Sequence, residues 1–330
     1  MTPHILYSVL SLQSFLKKEK PSKVCIVTSK RLVKKLRWVI RKIPGAQITF
    51  LPDGEAAKTL DEIEKLLTQF TKHNLDRQSI IVALGGGTIG DAAGFAASIY
   101  LRGVRYVQVP TTLLAQVDSA HGGKTGVDFR GYKNQVGAFY NPIAVVVDTR
   151  LLKSLSQEQV VDGLGEVIKA GLIKDPSILS LLRKANLATL VRSRYMSIIV
   201  RKSIEVKSFY IKRDPNEENI RQILNTGHTF GHAIELKYHL SHGRAVLIGL
   251  FQELTVGEAL GITPLSVRRN LVELIARLGI TLDTTARVDW KSVLRDKKVA
   301  GSSIWFPVIE KEGRSRLVKI SLKKLQFLTC

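Results

Sequence analysis

Along the first 150 residues, short apolar runs alternate with segments whose apolar positions recur every three to four residues. Val24-Cys25-Ile26-Val27-Thr28 has the length and β-branched content of a buried strand. Gln47 to Leu51, Ser79 to Leu84, Val104 to Val109 and Ile143 to Val147 repeat that signature. Between them, Thr59 to Lys72 carries Leu60, Ile63, Leu66, Leu67 and Phe70 at helical spacing, and helices are also predicted over Lys30 to Lys42 and Thr88 to Leu101. Such alternation predicts a parallel sheet with both faces covered.

After Asp148 the texture changes. From Ser156 to Leu278 the period is helical almost throughout, and only Ser303 to Ile309 and Arg316 to Ile320 read as extended. The shift predicts two domains, 1–150 of α/β type and 151–330 mostly α-helical. A chain of 330 residues accommodates both, and the expected ligand site is the cleft between them.

Composition changes the picture mainly through charge. With 45% hydrophobic and 24% charged residues the chain is ordinary globular protein and not a disordered one, but 50 Lys+Arg against 28 Asp+Glu leave a net charge of +22. That surplus favours an anionic partner, whether nucleic acid, an acidic membrane surface or a small phosphorylated or carboxylated substrate. The cations form no stripe, so a generally basic solvated surface is the competing reading. Cys25 and Cys330 make neither a disulfide framework nor a metal spacing and suit a reducing cytosol; the amino terminus shows no signal-peptide pattern. Ile80 to Leu101 holds a single charge, Asp91, in 22 residues, enough to span a bilayer. The triplet Gly85-Gly86-Gly87 would break a lipid-exposed helix, so a buried strand–turn–helix is predicted and no membrane span.

The glycines of Gly85-Gly86-Gly87-Thr88-Ile89-Gly90-Asp91 follow a predicted strand and open a predicted helix, where backbone amides face an incoming phosphate. Positions 85, 87 and 90 satisfy G-x-G-x-x-G. However, the turn follows the third predicted strand, and Pro110-Thr111-Thr112 stand where an acidic ribose ligand is expected. A nucleotide site of a different design is the reading, against a tight turn that binds nothing.

Four of the seven histidines, His228, His232, His239 and His242, fall within 15 residues. His228 and His232 lie one helical turn apart, a spacing that suits a metal and equally a polar helix face. A catalytic zinc takes three protein ligands, and His242 or Glu166 offers the third donor. Cations stand beside glycines and amides in loop-like sequence at Gly122-Gly123-Lys124 and Lys133-Asn134, the kind of segment that binds phosphate or carboxylate. Lys169 follows Glu166 by three residues on one helical face, and Lys207 and Arg221 precede the histidine segment.

Taken together these residues resemble the 3-dehydroquinate synthase family. The match runs in order through Asp53-Gly54-Glu55-Ala56-Ala57-Lys58, the glycine turn, Tyr100-Leu101-Arg102-Gly103, Pro110 to Asp118, Gly122-Gly123-Lys124, Lys133-Asn134, Glu166-Val167-Ile168-Lys169, Lys207, Arg221, Asn225 to Glu235, His242-Gly243 and Asp296-Lys297-Lys298. The resemblance implies a Rossmann-like amino-terminal domain, a helical carboxy-terminal domain and a cytoplasmic homodimer. It implies catalytic NAD, a divalent metal (zinc, or cobalt) and the substrate 3-deoxy-D-arabino-heptulosonate 7-phosphate. By the same resemblance Glu166, His228 and His242 hold the metal, in place of the His228–His232 pair that spacing favours, and His232 becomes a neighbouring polar or proton-transfer group. NAD contacts are implied for Glu55, Lys58, Gly86, Gly87, Asp91, Thr111, Thr112, Leu114 and Lys133. Substrate contacts are implied for Asp118, Lys124, Asn134, Lys169, Lys207, Arg221, Asn225 and Lys298 of the Lys297–Lys298 pair, with Arg102 reaching the phosphate from the partner subunit.

Three positions depart from the pattern. Thr28-Ser29 stands where the family commonly has Thr-Asp for the adenosine ribose, His121 where a small apolar residue is usual, and Arg244 where Glu is usual. The alternatives are a related sugar-phosphate cyclase, a metal-dependent polyol dehydrogenase and, from a different class, a nucleic-acid-binding protein, for which the charge is the sole support. The expectation is an enzyme that engages neither nucleic acid nor membrane.

Overall fold

Alternate residues of the central strands are buried in opposite directions. Cys25 and Val27 of β2 (Val24–Thr28) join Ile81 and Ala83 of β4 (Ile80–Gly85) in one apolar cluster, while Ile26, Val82 and Leu84 belong to another. Strands buried on both faces need helices above and below. In this computed structural model, which describes residues 3–283, 285–290, 293 and 302–328, they have them. Lys297, Lys298 and Cys330 lie outside the described residues. The chain forms two units, Met1–Ser154 and Leu155–Cys330.

Besides β2 and β4, the first unit has the strands β1 (His4–Leu6), β3 (Gln47–Phe50), β5 (Tyr106–Pro110) and β8 (Ala144–Val146). They form a six-stranded sheet in the order β1-β8-β5-β4-β2-β3, every pairing parallel. The helices are α1 (Val9–Glu19), α2 (Lys30–Lys35), α3 (Arg37–Ile40), α4 (Leu60–Lys72) and α5 (Gly87–Ile99). Chain direction across the sheet reverses at β2: the chain steps outward from β2 to β3, then returns past β2 to β4 and continues to β5. In open parallel sheets ligands bind at the carboxyl ends of strands flanking such a reversal.

Ile80 to Leu101 is the expected strand–turn–helix, β4 and α5, and no helix among the described residues is long and apolar enough to cross a membrane. Three features differ from the sequence reading. The helix expected over Lys30 to Lys42 breaks at Leu36 (φ −114°, ψ 28°), whose side chain is buried in the core. β1 and α1 are additional elements; β1 has only three residues, too few for a periodic signal. Lys124 and Lys133-Asn134 lie on an antiparallel hairpin, β6 (Lys124–Phe129) and β7 (Tyr132–Phe139), rather than on loops. β7 is largely exposed and shows no clean alternation, and the hairpin is held by packing of β6 on α5, where Thr125 lies against Gly94.

The second unit is mostly helical: α6 (Gln157–Ile173), α7 (Ser177–Arg183), α8 (Leu187–Leu190), α9 (Arg194–Arg213), α10 (His228–Tyr238), α11 (His242–Ala259) and α12 (Leu265–Arg277). A hairpin of β9 (Ser303–Lys311) and β10 (Arg314–Ser321) follows, then a short helix, Leu322–Phe327. Ser156 and Gln159 close a capping box at the start of α6, which explains the sharp onset of helix there. α11 packs on both α6 and α10. The contacts are at backbone distance: a Cβ on Gly243 would lie 1.8 Å from the Asp162 carbonyl oxygen of α6, and one on Gly249 would lie 2.0 Å from the Gly227 oxygen at the start of α10. Backbone cannot yield as a flexible side chain does. Gly249→Ala is therefore expected to lower stability by about 1–3 kcal/mol, seen as an earlier urea midpoint; an unchanged midpoint would show that α10 and α11 separate freely.

Candidate functional sites

In the first unit the glycine turn is closed in by the segment after β5. Gly85 ends β4, Gly86 precedes α5, and Gly87 is its first residue. A Cβ on Gly86 would come 3.2 Å from the Thr112 methyl, and one on Gly87 2.9 Å from the Ser119 hydroxyl. Thr111 N–H donates to the Gly85 carbonyl (2.9 Å), and Thr112 Oγ1 accepts from Ala115 N–H (3.2 Å) as the chain enters a π-helical turn, Ala115–Ser119, that carries Asp118. Gly86, Gly87, Thr111, Thr112 and Leu114 thus gather around the amide-rich start of α5, as anion binding needs.

One turn into α5, Asp91 accepts from the buried Lys58 ammonium at 2.9 Å, and the same ammonium donates to Asn134 Oδ1. Asn134 adopts φ 53° on β7, its N–H bonded to Asp128 Oδ1 at 2.8 Å, so the hairpin delivers the amide to the Lys58–Asp91 pair. Burial pushes the Asp91 carboxyl up to about 6 against the pull of Lys58, with the Glu55 and Asp118 carboxylates adding to the rise. Glu55, Arg102, Lys124 and Lys133 are exposed on the same unit.

In the helical unit the centre is Glu166, buried in α6. Oε2 is paired with the Lys169 ammonium one turn on, and Lys169 also donates to the Leu224 carbonyl at 2.8 Å. Oε1 is buried and has no hydrogen-bond partner. Instead, Nε2 of His228 and Nε2 of His242 each lie 3.4 Å from it. His228 Nδ1 is 3.2 Å from the Thr226 carbonyl, and His242 Nδ1 is 3.1 Å from Glu235 Oε2. A ring that donates from Nδ1 turns the Nε2 lone pair outward. Two lone pairs and a carboxylate oxygen facing one point repel unless a proton or a cation sits there. The first solution is seen in His242: burial works against its charge, but Glu166 and Glu235 together outweigh burial and push it up to about 10. The second is a metal ion. Tetrahedral coordination at about 2.0–2.1 Å separates ligand atoms by about 3.3–3.4 Å, the spacing of Glu166 Oε1 from both rings. His232 is exposed one turn along α10, and ring nitrogens of His228, His232 and His242 lie within 4.8 Å of one another.

Around this centre, Asp214 and Glu217 shape the loop before α10. The buried Arg221 donates to the Pro215 carbonyl, and its Nε lies 3.9 Å from Glu217 Oε2; Asn225 Nδ2 donates to Glu217 Oε1 at 3.1 Å. Lys207 stands on α9, which packs on the turn holding Arg221 and Asn225. The sequence reading missed three carboxylates. Glu235 orients His242; Glu253, buried on α11, accepts from Gly227 N–H (2.6 Å) and Thr229 N–H (3.2 Å) and so seats the first turn of α10; Asp162 accepts from Gly243 N–H (2.6 Å). Only Glu235 stood inside a quoted motif, and nothing in its spacing distinguishes it.

Residues 48–162 match the 3-dehydroquinate synthase N-terminal family and residues 163–299 the 3-dehydroquinate synthase C-terminal family. The chain is 39% identical over 278 residues to 3-dehydroquinate synthase of Dictyoglomus thermophilum, covering 82% of this chain and 78% of that one. It is 36% identical over 319 residues to the enzyme of Streptococcus pneumoniae, covering 93% and 90%. Among solved structures it resembles a 2-deoxy-scyllo-inosose synthase complexed with carbaglucose-6-phosphate, NAD+ and Co2+ (TM-score 0.84, 24% identity, 99% of this chain and 95% of that one). It also resembles a 2-epi-5-epi-valiolone synthase of Streptomyces hygroscopicus with NAD+ and Zn2+ (TM-score 0.85, 21% identity, 99% and 96%). At these identities the two structures speak for the fold.

The Lys58–Asp91 pair carries a pH signature. With its folded-state value raised from 3.8 to about 6, the Asp91 carboxyl favours folding fully below pH 3.8, and that contribution is lost as pH rises through about 6. Stability is expected to fall by on the order of 2 kcal/mol across that window, and Asp91→Asn to flatten the fall. Urea unfolding at a series of pH values checks it; the same slope in the variant would assign the titration to another group.

Proposed function

The chain belongs to the 3-dehydroquinate synthase family, and from that premise we propose that it is a carbon–oxygen lyase of the shikimate pathway. It converts 3-deoxy-D-arabino-heptulosonate 7-phosphate to 3-dehydroquinate and phosphate. The observation that carries the reading is the partnerless Glu166 Oε1 with two imidazole nitrogens at 3.4 Å, a donor set suited to one divalent cation beside the buried Lys169. The route is transient oxidation of a ring hydroxyl, elimination of phosphate, re-reduction, ring opening and intramolecular aldol closure. Hydride leaves and returns, so there is no net redox change. When bound, NAD provides the reversible hydride acceptor, and zinc or cobalt the Lewis acidity that makes the hydroxyl easier to oxidise.

The residues divide the work. Glu166, His228 and His242 hold the cation, Glu235 keeps the His242 lone pair aimed, and the exposed His232 ring stands near enough to relay a proton. Gly86, Gly87, Thr111, Thr112 and Leu114 receive the dinucleotide pyrophosphate, with Glu55, Lys58, Asp91 and Lys133 completing that site. Asp118, Lys124, Asn134, Lys169, Lys207, Arg221, Asn225 and Lys298 bind the substrate. Their cations fix a polyanion in one geometry, which supplies both orientation and charge stabilisation. Elimination releases phosphate, which takes the proton from the carbon acidified by the neighbouring ketone. The enzyme acts as a cytosolic homodimer in which Arg102 reaches the substrate phosphate of the neighbouring protomer.

The test is phosphate release from the heptulosonate phosphate in the presence of NAD. Release is expected, and expected to stop on adding a chelator; no release with metal and NAD supplied would sink the reading. Lys124→Ala and His242→Ala should each abolish turnover while the circular dichroism spectrum stays native, and near-normal rates in both would refute the residue assignment. Glu235→Gln should weaken zinc binding by about 10–100-fold, read by competition with a chromophoric chelator; unchanged affinity would remove Glu235 from the metal site.

A further inference from the structure

The carboxyl ends of β2 and β3 frame a cavity of about 370 Å³ lined by Lys30, Phe50, Leu51, Pro52 and Asp53. β2 pairs with β4 and with β3, so this cavity opens beside the glycine turn, on the side of the sheet where chain direction reverses. Neighbouring strands are about 4.8 Å apart, which puts the ends of β2 and β3 within reach of the adenosine half of a dinucleotide whose pyrophosphate rests on the start of α5.

A ribose bound in such a place needs an acceptor for its vicinal hydroxyls, normally a carboxylate at the end of the strand next to the glycine turn. Here Ser29 follows that strand, and its hydroxyl is already committed. Ser29 is buried; Oγ accepts from Leu32 N–H (3.3 Å), capping α2, and donates to Asp53 Oδ1 (2.8 Å). Arg31 Nε donates to the same oxygen at 3.2 Å. Both bonds go to Oδ1, so the half-exposed carboxylate is held by one oxygen and its Oδ2 remains for a ligand in the cavity it lines.

We infer that Asp53, one strand further out, is the residue that binds the adenosine ribose diol, with Ser29 as the positioning residue that holds it, and that it sets a preference for NAD over NADP. The inference rests on the functional reading above. The carboxylate accepts from the 2′- and 3′-hydroxyls and repels a 2′-phosphate. It also occupies Arg31, the cation that would otherwise attract that phosphate.

The experiment is calorimetric titration of the intact protein and of D53N and S29A with NAD, NADP, ADP and 2′-deoxy-ADP. The wild type is expected to bind NAD more tightly than NADP and ADP more tightly than 2′-deoxy-ADP. D53N should bind NAD and ADP about tenfold more weakly, bind ADP and 2′-deoxy-ADP alike, and lose preference between NAD and NADP. S29A should show a smaller loss with the ADP to 2′-deoxy-ADP ratio reduced but above one. A D53N protein that keeps the wild-type ratio overturns the inference even if its affinities fall, because a merely structural defect would weaken both nucleotides together. A wild type that binds no NAD overturns the functional reading itself, a different result from a wild type that binds NAD and is indifferent to D53N.

Discussion

A carboxylate buried in the middle of a helix must be neutralised where it stands, and the helical unit is arranged around that demand at Glu166. Desolvation makes an uncompensated charge there costly. Lys169 meets one oxygen from the same helix, and the Leu224 carbonyl takes another proton of that ammonium, which ties the turn ahead of α10 to α6. The other oxygen is met from α10 and α11, whose closeness to α6 and to each other depends on glycines at 165, 243 and 249. Packing and chemistry are therefore one constraint: larger side chains at those glycines would move the imidazoles away from the carboxylate. Glu253 and Asp162 extend the same logic, using buried charge to hold the backbone amides that anchor the first turns of α10 and α11.

The first unit solves a comparable problem with a lysine at its centre. Lys58 is buried between Asp91 of α5 and Asn134 of β7, which joins the sheet-flanking helix to the hairpin. Asp91, raised to about 6, is on the edge of ionisation, so the pair is poised to rearrange its hydrogen bonds when an anion approaches the helix start. The three sequence departures have distinct structural outcomes. Ser29 is absorbed into the Asp53 and α2 capping network. His121 is buried, with Nε2 2.8 Å from the Gln116 carbonyl inside the π-helical turn that carries Asp118. Arg244 is half-buried on the first turn of α11 and donates to the Thr281 carbonyl at 3.4 Å.

The net charge of +22 is larger than the proposed site requires. Many of the cations lie on exposed helix faces, for instance Arg194 and Arg201 on α9. Spread over a surface in this way, positive charge raises the local concentration of small anionic ligands and speeds their arrival. Nothing in the structure explains why the excess is so large.

Strand and helix positions in the sheet unit were legible from periodicity, because burial on one or two faces is a local property of the pattern: β2, β3, β4, α4 and α5 appear where the apolar spacing puts them. Membership of the family was legible as well, since its motifs occur in order along the chain. The hairpin carrying Lys124 and Asn134 was not, because its polar strand is held by α5 and by pairing rather than by its own alternation. Nor was the donor set. Local spacing favours His228 with His232, one turn apart, whereas folding brings Glu166 and His242 from other helices to within 3.4 Å contacts and sets their aim through Thr226 and Glu235. Which lone pairs converge depends on hydrogen bonds and backbone approaches between residues remote in the chain, and no periodicity along the chain encodes those.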